Sequence, residues 1–458
     1  MALSSLEVDI LIFNAHILTI NSSFDTIRRG FLLVKDSKIM DIGTMEEFHQ
    51  KYGKRIDAKE EIDARGDFVL PGFINTHGHF AMTLFRGIAD DLPLMKWLEE
   101  YIWPIEAKLT KEDCFIGTQL AAIEMIQGGT TTACDMYFFE ERNLDALEEI
   151  GFRAILGYGM MDFNNDEKRE KEITATEKLI NYVKNKAKRI SVIVSPHAPN
   201  TCSQELLLSA KELALRNNLP IQIHLAETRE EVAQIKKSYN CTPTEYLDKI
   251  GFLSNNVLAA HCVWLTKRDC QLLQKNQVKI AHNPTSNLKL GSGIMNYNLL
   301  SKLGITISLG TDGAASNNTL SLLNELQLAA YLHKGINTNP EILPAPKALK
   351  MATFDGAIAL GLKAEIGSLE IGKKADIIII DSKAPNMWPP HNPYSSIVYS
   401  AHNSNIHTTI IDGHILMRNR RMLTIDPMNV MAKAKQAITR LLDSPELKQF
   451  KEKIRFLR

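Results

Sequence analysis

The sequence has 458 residues, of which 45% are hydrophobic and 23% are charged, so it can bury a large core and is typical of one large domain with a smaller one. Lys plus Arg and Asp plus Glu number 53 each, which excludes a net field that would attract nucleic acid and favours a small, roughly neutral substrate. No apolar stretch approaches the about 20 residues that cross a bilayer, and no basic segment precedes the first apolar residues, so a cytoplasmic protein without a membrane partner is predicted.

Short β-type runs broken by polar turns occupy the first part of the chain and return near its end. Two β-rich ends around a different middle predict one small sheet domain that is built from both ends of the chain and ties them together. The runs are residues 9–15, 31–35 and 38–42 in the first part, and 377–380, 408–411 and 414–417 in the last.

The middle of the chain alternates apolar runs with longer segments of helical periodicity, as expected of an α/β protein with a parallel barrel or a doubly wound sheet. The segment of residues 66–364 is close in length to the ~250 residues usual for an eightfold β/α barrel, with allowance for insertions. Sequence periodicity does not show whether the strands close into a barrel, so an open, doubly wound sheet is the alternative. The eight strands are predicted to end near His77, Asp135, Tyr158, Ser195, His224, His261, His282 and Asp312.

Six histidines between residues 50 and 332 fall at or just after the ends of these predicted strands. One such histidine alone is more often a core or surface residue satisfied by its neighbours, but that explanation is poor for the whole set. Because functional groups of barrels gather at the carboxyl ends of the strands, we expect several of them to be neighbours in space. The six are His77, His79, His197, His224, His261 and His282.

The pair His77 and His79 is the strongest local signal for a metal site. Residues two apart on an extended chain point to the same side and can hold one cation. His224 adds a third nitrogen from another strand end, and Asp312 adds a carboxylate from the last, although Asp312 alone is also typical of a turn. These four ligands predict one divalent metal ion, with zinc favoured and iron as the alternative.

In order and spacing the sequence resembles the amidohydrolase superfamily over nearly the whole chain. The resemblance implies a metal-dependent (β/α)8 TIM-type barrel of residues 66–364. It also implies a small β-sandwich domain formed by residues 1–65 and 365–458, with a helix at the C-terminal end. The segments that carry it are residues 71–79, 224–227, 260–262, 282–284, 310–312 and, returning to the small domain, 367–376.

Within the superfamily, residues 82–87, 97–98, 104–106 and 195–199 are similar to deaminases of methylthioadenosine and S-adenosylhomocysteine. This resemblance implies an aminohydrolase that converts the adenine ring of 5'-methylthioadenosine, S-adenosylhomocysteine or a close adenosine analogue to the inosine analogue and ammonia. Binuclear members of the superfamily carry a lysine at the end of the fourth strand, where this sequence has none, so a single metal ion is expected. A homo-oligomer is expected on general grounds.

The resemblance also implies roles for residues at the metal. The nucleophile is expected to be a metal-bound hydroxide, since a bound ion lowers the pKa of water to about 7. Asp312 is expected to accept the water proton as well as bind the metal, and Glu227 to protonate the ring nitrogen next to the attacked carbon. Read alone, Glu227 is also typical of a helix start. His261 is expected to orient the hydroxide and stabilise the tetrahedral centre without being a ligand.

The predicted substrate contacts are Glu106, His197, Glu227 and Asp312. By resemblance, Glu106 and His197 reach the nucleoside, with Glu106 accepting hydrogen bonds from ribose hydroxyls. Read alone, Glu106 would be a solvated helix residue. His282 is placed beside the pocket, and a local turn explains it equally well.

Two other functions remain open at this level. Related metal chemistry can act on a free base or another ring, such as guanine, cytosine, a pterin or a chlorinated triazine, although Glu106 and His197 favour a ribose. The alternative from another class is a non-catalytic barrel that serves as an assembly subunit, which the complete ligand set disfavours. The H-x-E and P-C-x-x-C motifs of cytidine-deaminase zinc sites are absent from the sequence.

Overall fold

The computed structural model describes residues 5–53, 55–186 and 189–443. Strands lie at both ends of the chain and recur at intervals through its middle. In chain order they are β1 (Leu6–Leu18), β2 (Thr26–Lys35), β3 (Lys38–Thr44), β4 (Ile56–Asp63), β5 (Phe68–Pro71), β6 (Phe73–His79), β7 (Thr130–Tyr137), β8 (Arg153–Met160), β9 (Ile190–Val192), β10 (Ser195–Pro196), β11 (Ile221–Leu225), β12 (Val257–His261), β13 (Lys279–His282), β14 (Ile307–Leu309), β15 (Asp312–Gly313), β16 (Ile377–Ile380), β17 (Ile406–Ile411), β18 (His414–Arg418) and β19 (Arg421–Met422).

Helices follow most strands of the middle region, and several begin at a threonine whose hydroxyl accepts from a backbone N–H of the first turn, as Thr110, Thr242 and Thr266 do. No helix among the described residues is long and apolar enough to span a bilayer. The predicted cytoplasmic location stays a prediction. The α-helices are α1 (Met45–Lys51), α2 (Leu94–Trp97), α3 (Trp103–Glu106), α4 (Lys111–Gln127), α5 (Glu140–Ile150), α6 (Asp166–Lys186), α7 (Gln204–Asn217), α8 (Arg229–Tyr239), α9 (Pro243–Lys249), α10 (Lys267–Lys275), α11 (Pro284–Lys289), α12 (Tyr297–Lys302), α13 (Ala314–Asn317), α14 (Leu322–Asn337), α15 (Ala345–Met351), α16 (Phe354–Ala359), α17 (Pro393–Ser395) and α18 (Pro427–Leu442).

The middle strands form two parallel sheets, as the alternation of strands and helices predicts. One sheet has the order β10-β8-β7-β6-β15, with β9 paired to β8, and the other has the order β11-β12-β13-β14. An isolated parallel bridge between Val194 and Ile221 joins the two sheets on one side. On the other side the chain passes directly from β14 to β15, and the Thr76 hydroxyl donates to the carbonyl of Leu309 at 2.8 Å. The body of the protein is therefore α/β with parallel strands.

The observed strand ends agree with those expected from the sequence. All eight lie within two residues of the predicted positions, and β12 and β13 end at His261 and His282 themselves. Because neighbouring strands in these sheets are parallel, their carboxyl ends meet on one side of the molecule. The predicted functional residues are thereby gathered at one edge.

A separate sheet of nine strands takes members from both ends of the chain. Its order is β19-β18-β17-β16-β5-β1-β2-β3, with β4 paired to β1. The central pairing is between β16 and β5, which run antiparallel and join late residues to early ones. The domain boundaries at residues 65 and 365 stay a prediction, and residues 444–458 of the last predicted segment lie outside the described residues.

Strand β16 connects this sheet to the body of the protein. It consists of four isoleucines that are all fully buried, and successive side chains of a strand point to opposite faces. Ile377 and Ile379 pack into the core of the nine-stranded sheet, whereas Ile378 and Ile380 pack into the large core around the parallel strands. A continuous apolar run is needed here because both faces are covered.

A buried ion cluster fastens the same junction. The guanidinium of Arg153, at the start of β8, donates to both carboxylate oxygens of Asp376 at 2.7 and 3.0 Å and to Asp412 at 3.3 Å. The Arg153 and Asp376 side chains are 7% and 3% exposed. Asp376 and Asp412 adjoin β16 and β17, so the cluster links the parallel strands to the nine-stranded sheet.

We expect Arg153→Ala to lower the free energy of unfolding by about 3–5 kcal/mol, because it leaves the buried carboxylate of Asp376 without its cation, whereas Asp412 keeps an ion pair with Lys374. Denaturant-induced unfolding followed by circular dichroism measures this change. Arg216→Ala is the matched control, since Arg216 is 58% exposed and its pairs with Glu177 and Glu212 are long, at 3.6 and 3.9 Å. The control substitution should lower the free energy of unfolding by at most about 1 kcal/mol. Equal losses of stability in both variants would contradict the stabilising role of the buried ion cluster.

Candidate active site

Four histidines and one aspartate predicted from the sequence converge at the carboxyl ends of the parallel strands. Strand β6 carries His77 and His79, β11 carries His224, β12 carries His261, and β15 carries Asp312. The ring centroid of His77 lies 4.9 Å from that of His79, 4.8 Å from that of His224 and 5.5 Å from that of His261. Residues spread over more than 230 positions of sequence thus form one cluster.

The backbone at the strand ends is bent to aim these side chains. His261 and Asp312 have φ angles of 71° and 62°, a left-handed conformation that is uncommon for residues other than glycine. Gly310 lets β15 approach β6, because a Cβ atom at that position would lie 2.8 Å from the Cβ of His77. The Gly-Thr-Asp segment therefore serves close packing as well as placing the carboxylate.

The cluster fits a divalent metal ion. Its potential ligand atoms form two groups, His77 with His79 and His224, and His77 with His261 and Asp312, each within 4.8 Å. Nε2 of His77 is buried and has no hydrogen-bond partner among the described residues. An unsatisfied buried nitrogen is costly, and imidazole nitrogens with a carboxylate oxygen are the ligands that zinc and similar ions prefer. His261, which the sequence places outside the ligand set, lies in one of the two groups.

The far side of each imidazole is held by a second layer of groups. A histidine whose Nδ1 faces an oxygen keeps its orientation and can present Nε2 to a metal. Sequence reasoning missed the side chains in this layer, although the spacing of Gln222 and His224 on one strand places both on the same face. The contacts are His77 Nδ1 with Gln222 Oε1 (3.2 Å), His79 Nδ1 with the Met136 carbonyl (2.7 Å), His224 Nδ1 with the His197 carbonyl (2.7 Å) and His261 Nδ1 with Asn287 Oδ1 (2.8 Å).

Asp312 is an ionised carboxylate with its two oxygens in different surroundings. Oδ2 accepts hydrogen bonds from the hydroxyls of Ser286 at 2.6 Å and Ser316 at 3.1 Å. Oδ1 lies 3.1 Å from Nε2 of His79 and 3.5 Å from Nε2 of His77. Burial raises the pKa of Asp312, but the two imidazoles outweigh burial and hold that pKa well below its usual value. The two serines were not found from the sequence.

Glu227 is a buried acid beside the cluster. Its Oε1 accepts from the Ser292 hydroxyl at 3.2 Å, and its Oε2 lies 3.7 Å from Nε2 of His261. Burial, together with the nearby charge of Asp312, raises the pKa of Glu227 to about 8. The raised pKa and the position beside the cluster make this carboxyl a candidate proton donor.

The turn that presents Glu227 is itself held by a carboxylate. Both oxygens of Glu231 accept backbone N–H groups, from Ala226 at 2.9 Å and from Glu227 at 2.7 Å. The Thr228 hydroxyl in turn accepts the backbone N–H of Glu231 and caps α8. Helix α8 thus begins at a rigid turn, which fixes Glu227 relative to β11.

Glu106 and His197 line the same cavity as the histidine cluster and Glu227. Oε1 of Glu106 accepts from the Tyr137 hydroxyl at 2.7 Å, and burial raises the pKa of Glu106. Nδ1 of His197 lies 2.9 Å from the Thr201 hydroxyl, and burial lowers the pKa of His197 to about 3. The structure therefore brings the predicted site residues together at one cavity, except that His77 is fully buried behind its lining and contacts the other histidines of the cluster.

His282 does not line this cavity, so of the two explanations that the sequence left open for it, the structure favours the one without a role at the pocket. Its Nε2 lies 3.0 Å from Nε2 of His333, whose ring stacks on Tyr297. The preceding residue, Ala281, belongs to the inner apolar cluster, so alternation along β13 turns His282 to the opposite face. His261 escapes this alternation because its positive φ departs from an extended backbone.

Comparisons with known proteins agree with this arrangement. The model of the amidohydrolase family matches residues 68–416. A 5'-deoxyadenosine deaminase of Methanobrevibacter smithii is 47% identical over 418 residues, covering 91% of this chain and 94% of the relative. A 5-methylthioadenosine/S-adenosylhomocysteine deaminase of Thermococcus sibiricus is 47% identical over 397 residues, covering 85% and 93%. The crystal structure of an adenosine deaminase from Xanthomonas campestris with bound zinc superimposes with a TM-score of 0.91 at 31% identity, covering 96% of this chain and 100% of that one.

We expect the purified protein to carry one divalent metal ion per chain, and His77→Ala and His224→Ala to lose it on dialysis, because each variant removes a candidate ligand nitrogen. Elemental analysis after dialysis measures the metal content. His282→Ala is the matched control, a buried histidine at the same strand edge that contacts His333 instead, and it should retain the ion. Two tightly bound ions in the active protein would contradict a single site.

Proposed function

Since this chain belongs to the amidohydrolase family, we propose that it is a metal-dependent deaminase of 5'-substituted adenosines, including 5'-methylthioadenosine and S-adenosylhomocysteine. The products are the inosine analogue and ammonia. The observation that carries the proposal is the convergence of four histidines and Asp312 with the carboxyl group of Glu227, whose Oε2 lies 3.7 Å from Nε2 of His261. The names of the two relatives support an adenosine-type substrate.

The metal is assigned to His77, His79, His224 and Asp312. Zinc is the first choice because the adenosine deaminase of similar structure contains it, and iron is the alternative. A single ion is proposed, since no lysine lines the cavity among the described residues to bridge a second. When bound, such an ion lowers the pKa of water and so supplies a nucleophile near neutral pH.

The protein's own groups then handle the protons and the substrate. Asp312, being ionised, accepts a proton from the attacking water, while protonated Glu227 donates to the ring nitrogen next to the attacked carbon. That transfer makes the ring carbon more electrophilic. After water has added, Asp312 passes the proton that it accepted to the amino nitrogen, and Glu227, now ionised, takes the proton of the added hydroxyl as the carbonyl forms. The carbon–nitrogen bond to the amino group then breaks and ammonia leaves. His261 faces the same space as Glu227 and orients the water and the tetrahedral centre.

The ribose is assigned to Glu106 and His197. The Tyr137 hydroxyl occupies one oxygen of Glu106, which leaves the other to accept from sugar hydroxyls. His197 lies beside the metal site, its ring centroid 4.7 Å from that of His224. A ribose contact favours a nucleoside over a free base or a triazine, and the complete ligand set disfavours a non-catalytic barrel.

The proposed architecture around this site is a closed (β/α)8 barrel of residues 66–364, accompanied by a β-sandwich domain of residues 1–65 and 365–458. The bridge between Val194 and Ile221 and the direct passage from β14 to β15 support closure, because they join the two parallel sheets on both sides. The oligomeric state stays a prediction.

The proposed function is tested with a panel of adenine nucleosides and free bases, followed by loss of the aminopurine ultraviolet absorbance. We expect 5'-methylthioadenosine to be deaminated far faster than its 2',3'-dideoxy analogue, because losing a hydrogen bond to a buried carboxylate costs about 1.5–3 kcal/mol. Glu106→Gln should narrow that gap and leave the metal content unchanged. If free adenine or guanine reacts as well as the nucleosides, and Glu106→Gln affects no substrate, the nucleoside assignment is wrong.

Glu227→Gln should keep the metal and the fold but lower kcat by about 10²- to 10⁴-fold, because an amide cannot shuttle protons. Steady-state kinetics, together with metal analysis of the same sample, separates this loss from that of the ligand variants. Glu212→Gln is the control, since Glu212 is 73% exposed and does not line the cavity. If Glu227→Gln turned over at a rate near that of the wild type, Glu227 would not be the proton donor and another group would have to be assigned this role.

A further inference from the structure

The lining of the cavity is rich in acidic side chains and has no permanently cationic side chain among the described residues. Among the described residues, no lysine or arginine lines the cavity, whereas five carboxyl groups do. Any substrate group that enters therefore meets hydrogen-bond acceptors and acids, without a permanently cationic side chain. The five are Glu106, Glu227, Glu230, Glu231 and Asp312.

Part of the cavity wall is apolar and comes from the segment that carries Glu106. Trp97 and Leu98 lie on and just after α2, and Trp103 begins α3, which ends at Glu106. Met161 adds to this surface from the end of β8. If the base binds at the metal cluster and the ribose at Glu106, this wall and the rim are the parts of the lining that remain for a group on the 5' carbon.

The rim offers neutral or acidic groups. The Asn200 amide donates to Oε1 of Gln234 at 3.2 Å, and Glu230 stands one helical turn before Gln234 on α8. All three residues line the cavity, and Glu230 and Gln234 are exposed. A substrate carboxylate at the rim could accept hydrogen bonds from the two amide side chains. The ionisable side chain there is a glutamate, however, so no ion pair could form.

Cations next to lining residues in sequence are engaged elsewhere. Arg229, which precedes Glu230, lies over the Trp264 ring with its guanidinium carbon 4.2 Å from the ring centroid. Lys289, which precedes the lining residue Leu290, pairs with Asp90 at 2.6 Å. Neither side chain lines the cavity, so neither replaces the missing cation.

We propose that this cavity selects adenosines whose 5' group carries no carboxylate, so that 5'-deoxyadenosine and 5'-methylthioadenosine are preferred over S-adenosylhomocysteine. At the wall and rim away from the metal ligands, a carboxylate loses water without gaining an ion pair and faces the acidic side chain of Glu230, which disfavours it relative to a neutral group. The inference rests on the proposed function, because it assumes that the adenine ring is bound at the metal cluster.

The test uses three adenosine 5'-thioethers of similar size, S-propyl, S-carboxymethyl and S-aminoethyl, compared by kcat/KM with wild-type enzyme in its metal-bound form. The carboxymethyl compound should be about 10- to 100-fold poorer than the propyl compound, as expected for an unpaired charge in the site. The kcat/KM of the aminoethyl compound should fall clearly less below that of the propyl compound, because acidic side chains tolerate a cationic group. S-adenosylhomocysteine should be likewise poorer than 5'-methylthioadenosine.

The outcomes separate this inference from the proposed function. Selection by charge sign is overturned if kcat/KM for the carboxymethyl compound is within about threefold of that for the propyl compound, or if kcat/KM falls equally for both charged compounds. Either result leaves the proposed deamination standing. If no adenosine analogue is deaminated by the metal-loaded enzyme, the proposed function itself fails.

A gain-of-function variant tests the cause. Gln234→Arg adds a guanidinium at the rim and should raise kcat/KM for the carboxymethyl compound by about 10-fold relative to kcat/KM for the propyl compound measured with the same variant. Ala233→Arg is the matched control, because it adds the same charge at the neighbouring exposed position that does not line the cavity. If a folded Gln234→Arg protein shows no increase in kcat/KM for the carboxymethyl compound, or if Ala233→Arg shows an equal increase, the absence of a cationic side chain from the lining does not explain the selection.

Discussion

The structure depends on the burial of several imidazoles and a carboxylate within a few ångströms of one another. Nε2 of His77 is enclosed without a hydrogen-bond partner among the described residues, and its neighbours are further imidazoles and Asp312. Such a cluster is unfavourable unless a cation is shared by its lone pairs, because buried polar groups need partners. The left-handed backbone at His261 and Asp312 and the second layer of hydrogen bonds exist to hold these groups together.

The two carboxyl groups beside the cluster differ in charge because their surroundings differ. Asp312 faces two imidazoles and accepts from two serine hydroxyls, so its ionised form is favoured. Glu227 has one hydroxyl partner and the negative Asp312 nearby, so its neutral form is favoured. Two carboxyl groups with opposite protonation states are what acid and base roles in a single reaction require.

The nine-stranded sheet contributes to this site only indirectly, through the strands that it anchors. Ile377–Ile380 bury side chains in both cores, and Arg153 joins the start of β8 to Asp376 and Asp412. Strand β8 ends at Met160, beside the cavity wall, while β6 follows directly after β5 of the sheet. Fastening the amino ends of these strands restricts the positions that their carboxyl ends can take.

The sequence by itself determined the strand ends and, through its resemblance, the family, and it predicted a metal site at His77, His79, His224 and Asp312 that the clustering of these residues supports. The strand ends and the predicted metal site follow from local periodicity and from residue types at strand ends, which parallel pairing must bring to one side, whereas the family follows from resemblance to its motifs. The confirmed family resemblance supplied the roles of Glu227 and Glu106, which their own surroundings in sequence left open.

Only the tertiary structure decided which partners these residues have. Gln222, Ser286 and Asn287 are ordinary polar residues in sequence and acquire a role because strands and loops from distant segments meet at the cluster. His282 carries the same strand-end pattern as His261, yet a change of backbone conformation sends the two side chains to opposite faces. The absence of a cation among the described residues that line the cavity likewise depends on where side chains point, which spacing along a chain does not specify.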